Sequence, residues 1–202
     1  RVFVNSMGDL FHKSLSDAQI DRVFAVMALA PHHVFQVLTK RPVRMLEYIL
    51  AAGSRIPITM SAQMTGVRPP FIPRHLQPRW PLLNVWLGTS VENQAAAEDR
   101  LPMLLHTPAS IRFLSIEPML GPIDLHKWLV PWPIICEQGP LSPETVRALA
   151  DVGRAAARAM GAAPGIDWII AGGESGPGAR PMHPAWPRAL RDLCAGTGVP
   201  FF

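Results

Sequence analysis

The sequence predicts an α/β fold in which parallel strands alternate with helices, as a (β/α) barrel or an open α/β sheet. Five hydrophobic stretches each end in a polar or glycine-rich cluster. Short buried runs of this kind are typical of parallel strands. They recur about every 25–35 residues once two irregular segments are set aside, which is the spacing of βα units. Because the carboxyl ends of such strands meet at one edge of the fold, the clusters predict one shared site.

The predicted strands alternate with helical patterns along most of the chain. A capping box, Ser16 with Gln19 three residues later, marks the start of the first helix, and Pro31 marks its end. Apolar residues at 3.6-residue spacing predict the later helices. The predicted strands cover residues 2–5, 34–38, 84–88, 111–116 and 167–171, and the later helices cover residues 43–52, 91–105 and 185–195.

Two segments interrupt this alternation. Residues 54–81 are rich in proline and show no clear period, so we predict an inserted loop there. Residues 129–165 form a second predicted insertion, which combines prolines with an alanine-rich helical run. The chain starts directly at a strand and stops inside an apolar Val-Pro-Phe-Phe sequence. We therefore expect residues 1–202 to be a fragment, a single incomplete barrel domain.

Composition favours a cytoplasmic globular domain over a membrane protein. Of the 202 residues, 49% are hydrophobic and 17% are charged. No apolar run approaches the roughly 18 residues that are needed to cross a bilayer. The net charge of +4 is mild, so it hints at phosphate-bearing partners without predicting a nucleic-acid groove.

The cysteines and histidines show no metal-binding pattern. Cys136 and Cys194 lie far apart and outside any CxxC motif, so we predict free buried thiols rather than a zinc site or a disulfide. The histidines show no HExxH or other paired spacing. A serine hydrolase is disfavoured as well, because the sequence lacks a GxSxG motif.

The first polar cluster, Asn5-Ser6-Met7-Gly8-Asp9, follows a predicted strand directly. A turn of small residues beside a carboxylate exposes backbone groups that suit an ammonium or hydroxyl group. The same residue types also form Asx-type turns that only cap a strand. On the residues alone, this second interpretation is favoured.

The next two predicted strands end at Lys40 and in a Ser-Val-Glu-Asn segment. Lys40 either binds a phosphate or carboxylate or is a solvated lysine before a proline that starts a helix. Ser90, Glu92 and Asn93 bring a hydroxyl, a carboxylate and an amide close together, which suits ribose or amino-acid recognition. Alternatively, Ser90 is the N-cap of the next helix and Asn93 lies on its surface.

The last two predicted strands end in a carboxylate and in glycines. Glu117 is followed by Pro118, which limits its freedom, so it is a candidate acid/base or polar ligand group. Gly172 and Gly173 allow close backbone approach to a ligand, and Glu174 follows them. This segment matches neither a dinucleotide-binding GxGxxG motif nor a phosphate-binding P-loop.

In chain order, these motifs resemble an uncharacterised family of bacteriophage and prophage proteins that is similar to radical S-adenosylmethionine enzymes. The resemblance spans nearly all predicted strands and breaks at the two insertions. It implies a TIM-type barrel whose intact parent holds S-adenosylmethionine and a [4Fe–4S] cluster, the cluster bound by three closely spaced cysteines upstream of this region. The segments that carry it are NSMGDLFH, FQVLTKRP, VWLGTSVEN, RFLSIEPMLGP and GGESGPGARPM, followed by VPFF.

The resemblance also implies a role for the first cluster. In radical enzymes, a Gly-Gly-Glu-Pro segment after the cluster loop holds the methionine amino group of the cofactor. The segment MGDL stands at that place here, which departs from the usual residues. Asp9 would take the role of the glutamate, with Asn5 and Gly8 beside it.

The other implied cofactor contacts come from two later strands. One matches the strand whose polar residues meet the cofactor's ribose, and the other lines the adenosyl or substrate side through its glycines. The residues are Ser90, Glu92 and Asn93 on the first strand and Gly172, Gly173 and Glu174 on the second. Glu117 and Lys40 are the predicted catalytic groups.

The sequence thus predicts a fragment of a phage-type, radical S-adenosylmethionine-like enzyme, inactive by itself because its cysteines hold no cluster. The intact parent would cleave the cofactor reductively at the cluster to make a carbon radical. The alternative is a non-catalytic barrel that binds a nucleotide, a nucleic acid or a phage protein as an accessory module. Neither interpretation involves a membrane. Three clustered cysteines upstream in the intact gene would favour the enzyme.

Overall fold

The structure is a computed structural model that describes residues 1–5, 7–66, 77–129 and 165–202. It confirms an α/β architecture with five parallel strands hydrogen-bonded in chain order. No strand pairing closes this sheet into a barrel within the described ranges, and a backbone bridge joins Phe201 to Ile169 in β5. The strands are β1 (Val2–Val4), β2 (Phe35–Thr39), β3 (Val85–Ser90), β4 (Ile111–Ile116) and β5 (Trp168–Ala171).

Helices connect the strands, and the predicted capping box is present. The Ser16 hydroxyl accepts a hydrogen bond from the Gln19 amide at 3.4 Å, and Gln19 Oε1 accepts one from the Ser16 amide at 2.8 Å. The helices are α1 (Asp17–Leu29), α2 (Pro42–Ala52), α3 (Arg55–Thr65), α4 (Gln94–His106), α5 (His126–Leu129) and α6 (Ala185–Thr197).

Part of the first predicted insertion is a helix. The sequence predicts an irregular loop over residues 54–81, but α3 lies inside that range. Pro57 occupies its first turn, where proline is tolerated, and Gly66 ends it in a left-handed conformation at φ 72°. Arg55 donates to Asp21 of α1 at 3.0 Å. Packing against α1 stabilises this helix, whereas the apolar periodicity of its own sequence is weak. The sequence pattern therefore did not predict the helix.

The rest of the two predicted insertions mostly lies outside the described residues. This applies to residues 67–76 of the first insertion and to residues 130–164 of the second, including the helical run predicted there.

The two faces of the sheet have different surroundings. Because the strands follow one another in chain order, right-handed crossovers place the helices on one face. On that face, Val37, Leu87 and Leu114 are buried in a hydrophobic core shared with the helices. The residues that alternate with them, such as Trp86 and Trp168, point to the opposite face. We call it the second face, and these two tryptophans lie outside the core cluster.

Residues on the second face form three rows, because parallel register sets neighbouring side chains beside one another. The first two rows are mostly apolar and aromatic, and the third carries two hydroxyls. Ring centroids of Trp168 lie 5.9 Å from those of both Trp86 and Phe113. The rows are Gln36, Trp86 and Ile111, then Leu38, Gly88, Phe113 and Trp168, then Ser90, Ser115 and Ile170.

Candidate functional site

The carboxyl ends of the strands lie along one edge of the sheet. Register places Thr39 beside Thr89 and Ser90 beside Ser115, so β2, β3 and β4 end nearly level. Side chains from the clusters after β1, β2 and β3 contact one another directly. The clusters after β4 and β5 also approach each other.

Asp9 joins the first two clusters. Its Oδ1 accepts hydrogen bonds from the Thr39 hydroxyl at 2.7 Å and the Phe11 amide at 2.9 Å. Its Oδ2 accepts from the Lys40 amide at 3.1 Å and the Arg41 guanidinium at 2.7 Å. Burial raises the pKa of Asp9, but these donors outweigh burial and the net pKa is lowered. Both carboxylate oxygens are already engaged within the protein.

Asn5 and Gly8 shape the loop that carries Asp9. Asn5 has φ 57°, a left-handed conformation that asparagine tolerates, and its carbonyl accepts from the Gly8 amide at 3.0 Å. With its amide oxygen turned toward the loop, the Asn5 side chain accepts from the amides of Asp9 and Leu10 at 3.2 Å each. These contacts match the Asx-type turn, and a binding role for Asn5 and Gly8 stays a prediction. Ser6 lies outside the described residues.

A charge cluster links β2, β3 and α4. Lys40 Nζ lies 2.5 Å from Oε1 of Glu92, and Arg100 Nη1 donates to Oε2 at 3.0 Å. Oε1 is buried, and the Lys40 ammonium is its charged partner. Burial raises the pKa of Glu92, but the hydrogen-bonding and charge effects of Lys40 and Arg100 outweigh it and lower the net pKa.

Arg100 is a site residue that the sequence analysis did not identify. It reaches back eight residues to Glu92 and also donates to the Ser90 carbonyl at 2.7 Å. Two helical turns separate it from the cluster, so it belongs to no local motif. The one sequence signal for Arg100 was its position on α4, which directs its side chain toward the carboxyl end of β3.

Asn93 is the N-cap of α4, because its Oδ1 accepts a hydrogen bond from the Ala96 amide at 2.9 Å. The alternative that makes Ser90 the cap and leaves Asn93 on the helix surface is therefore wrong. Both residue types are good caps, so the sequence could not tell them apart. Ser90 instead belongs to β3, is 5% exposed, and its hydroxyl has no hydrogen-bond partner among the described residues.

The Glu117 side chain lies over Gly172, the first residue after β5. A Cβ built on Gly172 would collide with Oε1 of Glu117. Backbone hydrogen bonds hold this arrangement, from Met119 to the Gly172 carbonyl at 2.9 Å and from Gly172 to the Ile116 carbonyl at 3.1 Å. The Glu117 side chain is exposed, and within the described ranges its carboxylate accepts no hydrogen bond.

Glu174 is engaged inside its own loop. Its Oε1 accepts from Arg180 Nη2 at 2.7 Å, and its Oε2 accepts from Nε and the backbone amide of the same arginine at 2.7 and 2.8 Å. The hydrogen bonds from the Arg180 side chain lower the pKa of Glu174 to about 2. Gly173 lies nearby, where an added Cβ would make an ordinary contact with Met182 at 3.8 Å. Ligand contacts by Gly173 and Glu174 stay predictions.

Comparison with known proteins decides the family. The model of the family described as "Protein of unknown function (DUF5131)" matches residues 1–202. The chain belongs to DUF5131. Searches of curated proteins and of solved structures found no match.

Elsewhere in this DUF5131 chain, a polar depression lies between α1 and α3. Its buried carboxylate, Asp21, accepts hydrogen bonds from the Tyr48 hydroxyl at 2.8 Å and from Arg55 at 3.0 Å. Burial and the neighbouring Asp21 raise the pKa of Tyr48. These contacts connect α1, α2 and α3 on the helical side of the sheet, away from the carboxyl edge.

Cys194 is fully buried, and burial raises the pKa of its thiol to about 11. Cys136 lies outside the described residues. In the part of the DUF5131 chain that the structure describes, no three histidine, cysteine, aspartate or glutamate side chains are placed to hold a metal ion. No helix in the same ranges is long and apolar enough to span a bilayer.

Proposed function

We propose that this chain is a phage-type, radical S-adenosylmethionine-like protein that binds S-adenosylmethionine at the carboxyl edge of a partial barrel. The observation that carries the proposal is the uninterrupted chain order of the five parallel strands. In doubly wound sheets the strand order reverses at a switch point, whereas strands in chain order are the arrangement of (β/α) barrels. The three rows on the second face support the same architecture, because barrel interiors are filled by such layers.

Two polar atoms at the edge fit the ribose of the cofactor. The Ser90 hydroxyl has no hydrogen-bond partner among the described residues, and Oε1 of Glu92, two residues later, is paired with Lys40. The polar groups of buried residues normally have partners, so the Ser90 hydroxyl can take one from a ligand. A ribose offers two hydroxyls that can donate to the carboxylate and pair with the serine. Asn93 would add its amide nitrogen, since its oxygen caps α4.

The methionine end of the cofactor is assigned to the loop of Asn5, Gly8 and Asp9. Because Asp9 already accepts from four donors, an ammonium group must share Oδ2 with Arg41 or replace it. Arg41 is 42% exposed, so its guanidinium is free to turn toward the cofactor's carboxylate. The glycine segment after β5 lines the adenosyl or substrate side of the proposed site.

An iron–sulfur cluster does not fit the residues of this chain. Such clusters are held by thiolates. The chain has two cysteines, and burial keeps the thiol of Cys194 protonated with a pKa of about 11. We therefore assign these residues no iron ligand and no radical step. Bound S-adenosylmethionine supplies a carbon group activated by its sulfonium, while Glu117 and Lys40 are the proposed groups for proton transfer beside it.

The alternative function is a non-catalytic module that binds a nucleotide, a nucleic acid or a phage protein. The observation in its favour is the exposure of two cations at the same edge, Lys40 at 54% and Arg41 at 42%. Exposed cations at strand ends attract phosphate groups. This alternative needs no cofactor.

Calorimetric titration separates the two functions. S-adenosylmethionine should bind the wild-type chain, and Glu92→Gln should weaken binding about ten- to hundredfold through loss of a charge-assisted hydrogen bond. Glu98→Gln is the matched control, because Glu98 pairs with Lys127 rather than with a strand-end residue. Absence of S-adenosylmethionine binding overturns the proposal. Binding of ATP or an oligonucleotide, weakened by Lys40→Ala, would then support the alternative.

A further inference from the structure

Ser115 is a buried residue with a hydroxyl that the described part of the fold does not use. It lies beside Ser90 in the third row of the second face and is 5% exposed. Its backbone carbonyl accepts from the Val91 amide at 2.9 Å, but its hydroxyl makes no hydrogen bond with any described residue. The polar groups of buried residues normally have partners, so a ligand or solvent molecule is the partner that this hydroxyl can take. The cofactor assignments above give Ser115 no role.

Glu117 follows Ser115 by two residues and lies on the same side of the sheet. The two residues alternate with Ile116, whose side chain is in the core, so both belong to the side of the second face. Gly172 leaves the space that the Glu117 carboxylate occupies, since a Cβ there would collide with it. The carboxylate therefore lies over the end of β5, without a hydrogen-bond partner in the described ranges.

An aromatic floor lies below Ser115. Phe113 and Trp168 are neighbours in the second row, with ring centroids 5.9 Å apart. They are two residues closer to the amino ends of the strands than Ser115, a step of about 6.6 Å along the sheet. Phe113 is fully buried and supports the half-buried Trp168, which is the exposed part of the floor. An apolar floor with a few polar groups above it is the usual composition of a small-molecule pocket.

We propose that Ser115, Glu117 and this aromatic floor bind a second ligand, a planar heteroaromatic ring that bears an amino group. A carboxylate only accepts hydrogen bonds, so at the ring position that faces it Glu117 favours an amino group over a carbonyl, as carboxylates do with the amino group of cytosine. The Ser115 hydroxyl both donates and accepts, so it can pair with a ring nitrogen or carbonyl. The inference rests on the proposed edge site, and it assigns the end of β4 to a ligand other than S-adenosylmethionine.

Cytosine and uracil are the probes, because position 4 of the ring carries an amino donor in cytosine and a carbonyl acceptor in uracil, while the neighbouring N3 accepts in cytosine and donates in uracil. Cytosine should bind the wild-type chain, and uracil should bind about tenfold more weakly, the equivalent of one hydrogen bond. Binding is followed by quenching of tryptophan fluorescence and by calorimetry. Equal affinity for the two bases, or binding of neither, overturns the inference.

Variants test each group separately. Ser115→Ala should weaken cytosine binding about tenfold while the melting temperature is unchanged or higher, because the hydroxyl has no partner in the fold. Ser115→Cys keeps the size of the side chain and should show the same loss of affinity. Ser110→Ala is the matched control, since the Ser110 hydroxyl donates to the Val85 carbonyl at 2.9 Å at the opposite end of the strands. Loss of binding in that control, or none in Ser115→Ala, contradicts the assignment.

Glu117→Gln should remove the preference for cytosine over uracil, because an amide both donates and accepts. Gly172→Ala should do the same by displacing the carboxylate. A preference that survives both changes overturns the role of Glu117. Cytosine affinity should also be unchanged in saturating S-adenosylmethionine, and competition between them overturns a separate site. If cytosine binds and S-adenosylmethionine does not, the proposed function fails and this inference stands.

Discussion

The ring of Phe113 lies directly against the backbone of Gly88. A Cβ at residue 88 would be 2.6 Å from Cζ of that ring, well inside van der Waals contact. Phe113 is fully buried although it lies on the second face, outside the core shared with the helices. The aromatic floor therefore depends on the absence of a side chain at residue 88.

Gly88→Ala should destabilise the protein by about 1–3 kcal/mol, because the added methyl group overpacks the floor and displaces the Phe113 ring. Chemical denaturation measures the change in unfolding free energy. Gly121→Ala is the control, since nothing lies within 4 Å of a Cβ there. A second change, Phe113→Leu, should recover part of the loss in the Gly88→Ala background. Equal stability of the two alanine variants would contradict this account.

Signals within a few residues predicted much of the fold. The positions and parallel direction of the strands followed from apolar runs that end in polar clusters, and the start of α1 followed from the spacing of Ser16 and Gln19. Each of these signals is a pattern within a few consecutive residues, so it is visible in the sequence. The parallel direction in turn placed the strand-end clusters at one edge.

What the sequence could not provide depends on distant residues. Helix α3 is stabilised by Asp21 and the rest of α1, which its own weak pattern does not reveal. Arg100 joins the edge only because α4 turns it back toward Glu92. The contacts of Asp9 with Thr39 and Arg41 and the unpaired hydroxyl of Ser115 are also invisible locally, because residues distant in the sequence determine them.

Tyr48→Phe should destabilise the protein by about 1–3 kcal/mol, because it leaves the buried carboxylate of Asp21 without one of its donors. The Tyr48 hydroxyl donates to Asp21 at 2.8 Å, and Arg55 supplies the remaining contacts. Thermal or urea denaturation measures the loss. In the Tyr48→Phe background, Asp21→Asn should lower the unfolding free energy by less than it does in the wild type, since the two residues share one interaction. Strict additivity would argue against a coupled pair.

Asn93→Ala should cost about 1 kcal/mol of stability through loss of the N-cap of α4. Asn93→Asp keeps a side-chain oxygen that can accept from the Ala96 amide, so it should retain the wild-type stability. The pair of variants separates the cap from the proposed cofactor contact. If the amide nitrogen of Asn93 meets the ribose, Asn93→Asp will still weaken S-adenosylmethionine binding by calorimetry. If Asn93→Asp binds S-adenosylmethionine with wild-type affinity, the role of Asn93 is limited to capping α4.

Asp9 makes the stability of the fold at the carboxyl edge depend on pH. Burial raises its pKa, but the donors Thr39, Lys40, Phe11 and Arg41 outweigh burial and lower it below the usual value of 3.8. A carboxyl whose folded-state pKa is lowered stabilises the fold fully above the unfolded-state pKa. That stability is lost as the pH falls through the folded-state pKa, because the proton displaces the donors.

Asp9→Asn should therefore destabilise the protein by about 1–3 kcal/mol at neutral pH, since an amide cannot accept from four donors at two oxygens. The difference from wild type should shrink as the pH falls below 3.8, where the wild-type carboxyl is protonated in the unfolded chain. Urea denaturation at a series of pH values measures it. Asp124→Asn is the control, because Asp124 is 74% exposed and its change should stay within about 0.5 kcal/mol. A difference between wild type and Asp9→Asn that is constant across the acid range would mean that the carboxylate charge does not hold the first two clusters together.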